Sequence, residues 1–197
     1  MNKLDKKRRA QVVAALVEGA SVNSVVRMTG VSKPTILKLL ADLGTACAKY
    51  QDEKLRNLPC KRVQADEIWS FCFAKDKNLS EELKGKFGFG SVWTWTAICA
   101  DTKLMVSWLV GERSVPYAMK FMEDLASRLA SRVPLTTDGH KPYLRAVDGA
   151  FGSDIDYAML EKIYAVPPQE GVTTRYSPAQ CCGTKTHKIM GKPDDAH

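Results

Sequence analysis

Apolar residues recur at helical spacing through the first 48 positions, then give way from Val63 onward to short runs rich in β-branched and aromatic residues. Val12, Val13, Leu16 and Val17 mark a first helix between Leu4 and Glu18, and Gly19 ends it. Ser21 is placed to cap a short second helix whose Val22, Val25 and Val26 share a face. Gly30 supplies a left-handed residue after Thr29, Ser32 is the next N-cap, and Pro34 falls in a first turn where its missing N–H costs no hydrogen bond. The third helix buries Ile36, Leu39, Leu40 and Leu43, with Lys33, Thr35 and Lys38 on its opposite face. Residues 50–62 are polar, keep no period and contain Pro59, which predicts a linker or a short helix.

Val63–Phe73 suits a central strand, Val92–Ala100 alternates like a second, and the turn Asp101-Thr102-Lys103 leads into a third at Leu104–Val110. Ser114 and Pro116 open a helix with an inward stripe of Ala118, Met122, Leu125, Ala126 and Leu129. A short strand at Leu135–Asp138, a helix at Lys141–Ala150 and a fifth strand at Tyr157–Val166 complete the order β-β-β-α-β-α-β. The predicted class is α/β: an N-terminal helix-turn-helix at 1–48, a linker at 49–62, and a mixed sheet with flanking helices at 63–197.

Charge sharpens the division. Of 29 Lys and Arg, 13 lie in residues 1–62 against 5 Asp and Glu, whereas the rest of the chain carries 16 against 17. Such a concentration suits a phosphate backbone, since each contacted phosphate releases counterions; an anionic membrane surface or plain solubility would also fit. The six cysteines form no C-x-x-C pair, so reduced thiols are expected rather than a zinc ribbon. The charged start lacks the apolar stretch of a secretory signal, and no apolar run reaches the roughly 20 residues of a membrane span, so a cytoplasmic location is expected.

The three N-terminal helices read as a helix-turn-helix whose third helix meets base edges through Thr35 and Lys38, beside Lys33. Arg8, Arg9 and Arg27 suit the DNA backbone; the competing reading is a three-helix packing unit with a solvated basic face. In the second part, Asp66 and Glu67 stand inside an apolar strand, where carboxylates are costly to bury without a cation or donors. If the fourth strand lies beside the first, Asp66 meets Asp138, and such a pair can hold Mg²⁺ ions for phosphoryl transfer. Glu67 points to the other side of the strand and is expected to support the site rather than ligate. His140 either touches a phosphate, orients a carboxylate, or is a solvated loop histidine. His187 and Arg175 suit the DNA backbone or a solvated charge cluster.

The segments VQADEIWSF at 63–71, TTDGHKPYL at 136–144, HKIMGKPDDAH at 187–197 and GVSKPTILKLL at 30–40 together make the chain resemble transposases of the insertion sequence one family. That family belongs to the acid-triad transposases and integrases with a ribonuclease H-like core. The resemblance implies an enzyme that binds element-end DNA and carries out Mg²⁺- or Mn²⁺-dependent cleavage and strand transfer as a homo-oligomer on element ends and target. Asp66 and Asp138 would be the first two metal-binding acids. The family's third acid is a Glu on a helix beyond the tail motif, and His197 precedes such a helix, so a core lacking its last helix is expected; Asp194 and Asp195 are weak substitutes. The alternatives are a truncated, non-catalytic DNA-binding repressor of transposition and a nuclease on the same fold.

Overall fold

The computed structural model describes residues 4–164 and 181–193, which fall into two compact units, Met1–Lys54 and Leu55–His197. The first unit holds α1 (Lys6–Val17), α2 (Val22–Thr29) and α3 (Lys33–Lys54). Asp5 caps α1 by accepting from the Arg8 amide, Ser21 caps α2 by accepting from the Ser24 amide, and Gly30 ends α2 at φ 67°. Ser32 and Thr35 share a side-chain hydrogen bond of 2.8 Å at the start of α3. Val12, Val25, Val31 and Ile36 form the core, with Leu16, Val26 and Leu39 packed around it. Two stripe assignments need correction. Leu40 remains 39% exposed and Val17 76% exposed, because a core this small seals only one narrow line of each helix. Helix α3 also continues through the polar stretch to Lys54, since nothing breaks it before Asn57, whose φ is 52°, and Pro59.

The second unit is a six-stranded sheet built from β1 (Val63–Cys72), β2 (Gly90–Cys99), β3 (Met105–Gly111), β4 (Pro134–Asp138), β5 (Asp156–Tyr164) and β6 (Cys181–Met190), with α4 (Val115–Arg128) and α5 (Pro142–Phe151) between strands. Strand order is β3-β2-β1-β4-β5-β6. The first three strands are antiparallel neighbours, β4 runs parallel to β1 and β5 parallel to β4, and β6 returns antiparallel along β5. The first five strands thus have the ribonuclease H-like arrangement, and β6 is an addition that the sequence reading did not contain. Val166 and Arg175 lie outside the described residues, as do Asp194 and Asp195.

Alternation along the strands decides which side is dry. Val63 and Ala65 of β1, Trp95, Ala97 and Cys99 of β2, and Leu135 of β4 pack in one core with Ala118, Phe121, Met122 and Leu125 of α4 and Tyr143, Ala146 and Val147 of α5. The intervening positions Gln64, Asp66 and Ile68 are exposed. Of the four tryptophans, Trp95 alone is fully buried; Trp69 and Trp108 are more than 40% exposed.

Arg128, only 7% exposed, joins α4 to its surroundings. Its Nε and Nη2 donate to both oxygens of Asp124 at 2.7 and 2.8 Å, and its Nη1 donates to the Leu55 carbonyl at 3.3 Å. Burial acts most strongly on Asp124 and pushes its pKa up, but hydrogen bonds from Arg128 and Ser107 outweigh it and leave the carboxyl below its ordinary value. A depressed folded-state pKa adds stability above the unfolded carboxylate range of about 3.9 and loses it as pH falls through the folded value. Asp124→Asn is therefore expected to cost about 2–4 kcal/mol near neutral pH by stranding the buried guanidinium. Urea titrations at a series of pH values should show that gap narrowing below about pH 4.

Candidate active site

The parallel register Ala65↔Thr137 sets the next residues, Asp66 and Asp138, side by side at the ends of neighbouring strands. Thr137 turns into the core, where its hydroxyl is 2.9 Å from the Tyr157 hydroxyl, and Asp138 therefore turns to the exposed face with Asp66. Backbone amides orient one oxygen of each acid. Asp66 Oδ1 accepts from the Glu67 N–H at 2.8 Å, and Asp138 Oδ1 accepts from the His140 N–H at 3.0 Å. Asp66 Oδ2 has no partner among the described residues, so it is available to a ligand.

Glu67, one residue on, faces the helix-covered side, and its side chain is 1% exposed. Its carboxylate nevertheless reaches the same place: one oxygen each from Asp66, Glu67 and Asp138 lie within 4.8 Å of one another. Burial raises the Glu67 pKa above the ordinary carboxylate range, and the Asp138 charge adds to this, against opposing influences from the Tyr143 hydroxyl and Arg113. Neither Glu67 Oε1 nor the Tyr143 oxygen has a well-formed hydrogen bond, although both are sealed from solvent. The Tyr143 hydroxyl and the Glu67 carboxylate interact with each other, so this buried acid is held between tyrosine and arginine at the rim of the acidic cluster.

The residue that sequence reasoning missed is Arg113, in the connection between β3 and α4. Its Nε and Nη2 lie 3.1 Å from Glu67 Oε2, and Nη2 also donates to Asp138 Oδ2 at 3.0 Å. Its guanidinium stacks over the Trp93 ring at 4.9 Å. No periodicity could reveal it: Arg113 is 46 positions from Glu67 and 25 from Asp138, and only the strand order unites them.

His140 is half-buried, packed 5.8 Å from the Trp95 ring and 5.9 Å from Tyr143. Burial lowers its pKa below that of an ordinary histidine, and the Arg113 charge adds to this while Asp138 opposes it. Its ring therefore belongs to the floor of the site, neutral at physiological pH. A cleft of about 640 Å³ opens over Asp66, Asp138 and Arg113, with Lys141 and Lys162 at its walls. His187 lies on β6, 3.2 Å from Glu161.

An all-carboxylate set fits a hard divalent cation such as Mg²⁺ or Mn²⁺, which prefers oxygen ligands. An exposed Asp66 and a half-buried Asp138, each held by a backbone amide, with the Glu67 carboxylate within reach, meet that demand in number and charge.

In the N-terminal unit, Lys33, Thr35 and Arg9 are exposed. Lys38 is exposed too but pairs with Asp42 at 3.1 Å, and Arg27 bonds the Ser24 hydroxyl. Arg8 spends its guanidinium on the Thr29 carbonyl at 3.0 Å, tying α1 to the end of α2. No described helix is long and apolar enough to cross a membrane.

No protein-family model and no curated protein matches the sequence. Among solved structures, the chain is similar to the Mos1 strand transfer complex, at 13% identity and a TM-score of 0.32 over 79% of this chain and 59% of that one. It is also similar to the piggyBac transposase synaptic complex with hairpin DNA, at 11% identity and 0.40 over 87% and 44%. A third is the Mos1 mariner paired end complex with Mn, at 14% identity and 0.34 over 79% and 60%. The chain spans about three-fifths or less of the length of these proteins, and likenesses of this size assign no role to any residue.

Proposed function

We propose that this chain is a transposase of the insertion sequence one type, binding element-end DNA through Met1–Lys54 and cleaving and joining DNA strands at the Asp66–Asp138 site. The observation that carries the reading is the pairing of these two acids at the ends of adjacent parallel strands, with the Glu67 carboxylate within reach of both. Asp66 and Asp138 would hold Mg²⁺ or Mn²⁺, which supplies activation of an attacking oxygen and stabilisation of the leaving one in phosphoryl transfer.

The chain's own residues do the remaining work. The amides of Glu67 and His140 fix the rotation of the two carboxylates, so the ligand atoms are in place before a cation arrives. Lys141 and Lys162, with Glu161 also lining the cleft and the acids at its floor, supply the ammonium groups at the cleft walls that a phosphate backbone would meet. Double-stranded DNA is thus the proposed partner, both as element end and as target, and a homo-oligomer would bring two ends together.

A strand-transfer assay on labelled element-end DNA with Mg²⁺ or Mn²⁺ tests the activity: cleaved and joined products support it, and duplex binding without either product rejects it in favour of a DNA-binding role alone.

DNA contact by α3 has its own signature. Lys33→Ala is expected to weaken binding to all sequences alike and to reduce the salt dependence of log K by about one unit. Thr35→Ala should instead cost about 1–3 kcal/mol on the preferred site and little elsewhere. Fluorescence anisotropy over a salt series distinguishes the two, and wild-type affinity from both variants would exclude α3 from the interface.

A further inference from the structure

Each oxygen of Asp138 accepts one hydrogen bond, Oδ1 from the His140 amide and Oδ2 from Arg113 Nη2. Each oxygen keeps a further lone pair, but a cation that takes Oδ2 meets the Arg113 guanidinium at hydrogen-bond distance, and the two positive charges repel there. Arg113 is not free to leave the site, however. Its Nε and Nη2 both approach Glu67 Oε2 at 3.1 Å, Glu67 is buried, and the Trp93 ring stacks on the guanidinium face. The contact to Asp138 is the solvent-facing one, since Asp138 is 32% exposed and Glu67 1%.

We propose that Arg113 is an exchangeable cation of the site: it neutralises Asp138 when no metal is bound, yields Oδ2 to the arriving metal, and then donates its released N–H to a DNA phosphate in the cleft. Glu67 and Trp93 are the tether that keeps it there. The chemistry favours arginine, whose planar fork can keep one carboxylate and gain a phosphate oxygen at once, whereas lysine offers a single point charge. This inference rests on the metal-binding reading of Asp66 and Asp138 and adds the residue that sets the affinity of that site and links it to phosphate.

The test uses the full chain and two probes, Mn²⁺ alone and a short duplex with or without Ca²⁺. In a Mn²⁺ titration followed by electron paramagnetic resonance, Arg113→Gln is expected to bind roughly threefold to tenfold tighter than wild type, because Asp138 loses its competitor. The same gain is expected on going from Glu67→Gln to Glu67→Gln/Arg113→Gln, a comparison that avoids stranding a buried charge if Arg113→Gln alone fails to fold. Arg113→Gln, or that double variant against Glu67→Gln, should also lower duplex affinity about threefold to tenfold with Ca²⁺ and leave it unchanged without. Unchanged or weaker Mn²⁺ binding without Arg113, or equal loss of duplex affinity with and without Ca²⁺, overturns the inference while the metal site stands. If wild type itself binds no Mn²⁺, the metal-binding reading falls and the inference with it.

Discussion

Asp66→Asn and Asp138→Asn, made separately, are each expected to lower metal-dependent strand cleavage by at least about a hundredfold while leaving duplex DNA binding within about threefold of wild type. The substitution keeps the size of the side chain and removes one negative charge from a site whose attraction for a hard cation depends on charge and oxygen number. It also leaves intact the oxygen that accepts from the Glu67 or His140 amide, although Asp138→Asn gives up the Oδ2 contact to Arg113. Full cleavage by either Asn variant would remove that acid from the metal site. Single-turnover cleavage at saturating Mn²⁺ is the measurement, because it separates chemistry from DNA release.

The second large effect is one of stability. Trp95→Ala is expected to cost about 3–5 kcal/mol, since it empties the largest fully buried side chain in the core. Trp95 lies 5.8 Å from Phe121, 5.5 Å from Tyr143 and 5.8 Å from His140, and its indole N–H donates to the Glu112 carbonyl at 3.1 Å. It also pairs with Glu67 in the β1–β2 register, so the same ring supports the floor under the buried acid. Trp95→Phe should retain much of the packing and lose chiefly the hydrogen bond, at about 1–2 kcal/mol. Urea unfolding should show both losses as lower midpoints at an unchanged slope; a cost under about 1 kcal/mol for the alanine variant would mean that Trp95 is not central.

The parts of the molecule legible in the sequence are those where a local pattern and its tertiary use coincide. Ser21 and Gly30 announce a helix start and stop through chemistry confined to one turn. The run after Val63 announces a strand through its β-branched and aromatic residues, and its first positions alternate in burial as a strand should, Val63 and Ala65 buried and Gln64 and Asp66 not. The adjacency of Asp66 and Asp138 was legible only on the condition that the fourth strand lies beside the first, and the strand order meets that condition.

What the sequence concealed depends on neighbours that no local pattern encodes. Strand β6 is largely exposed along its length and lies at the sheet edge, so Cys181–Met190 carries no two-residue hydrophobic rhythm. Trp69 continues the alternation of Val63 and Ala65 yet is 41% exposed, whereas Trp108 pairs with Thr96, which faces Asp66, and so lies on the open face of the sheet. Arg113 is the strongest case. A polar residue in a connection between strand and helix looks like ordinary surface until the fold brings Glu67 and Asp138 to it.

The most direct measurement of the central claim is anomalous diffraction from crystals of the protein soaked in Mn²⁺. The expected result is a manganese peak within about 2.0–2.4 Å of carboxylate oxygens of both Asp66 and Asp138, with the Arg113 guanidinium withdrawn from Asp138. No peak at these carboxylates in crystals whose cleft is open to solvent, or manganese bound only elsewhere, would contradict it.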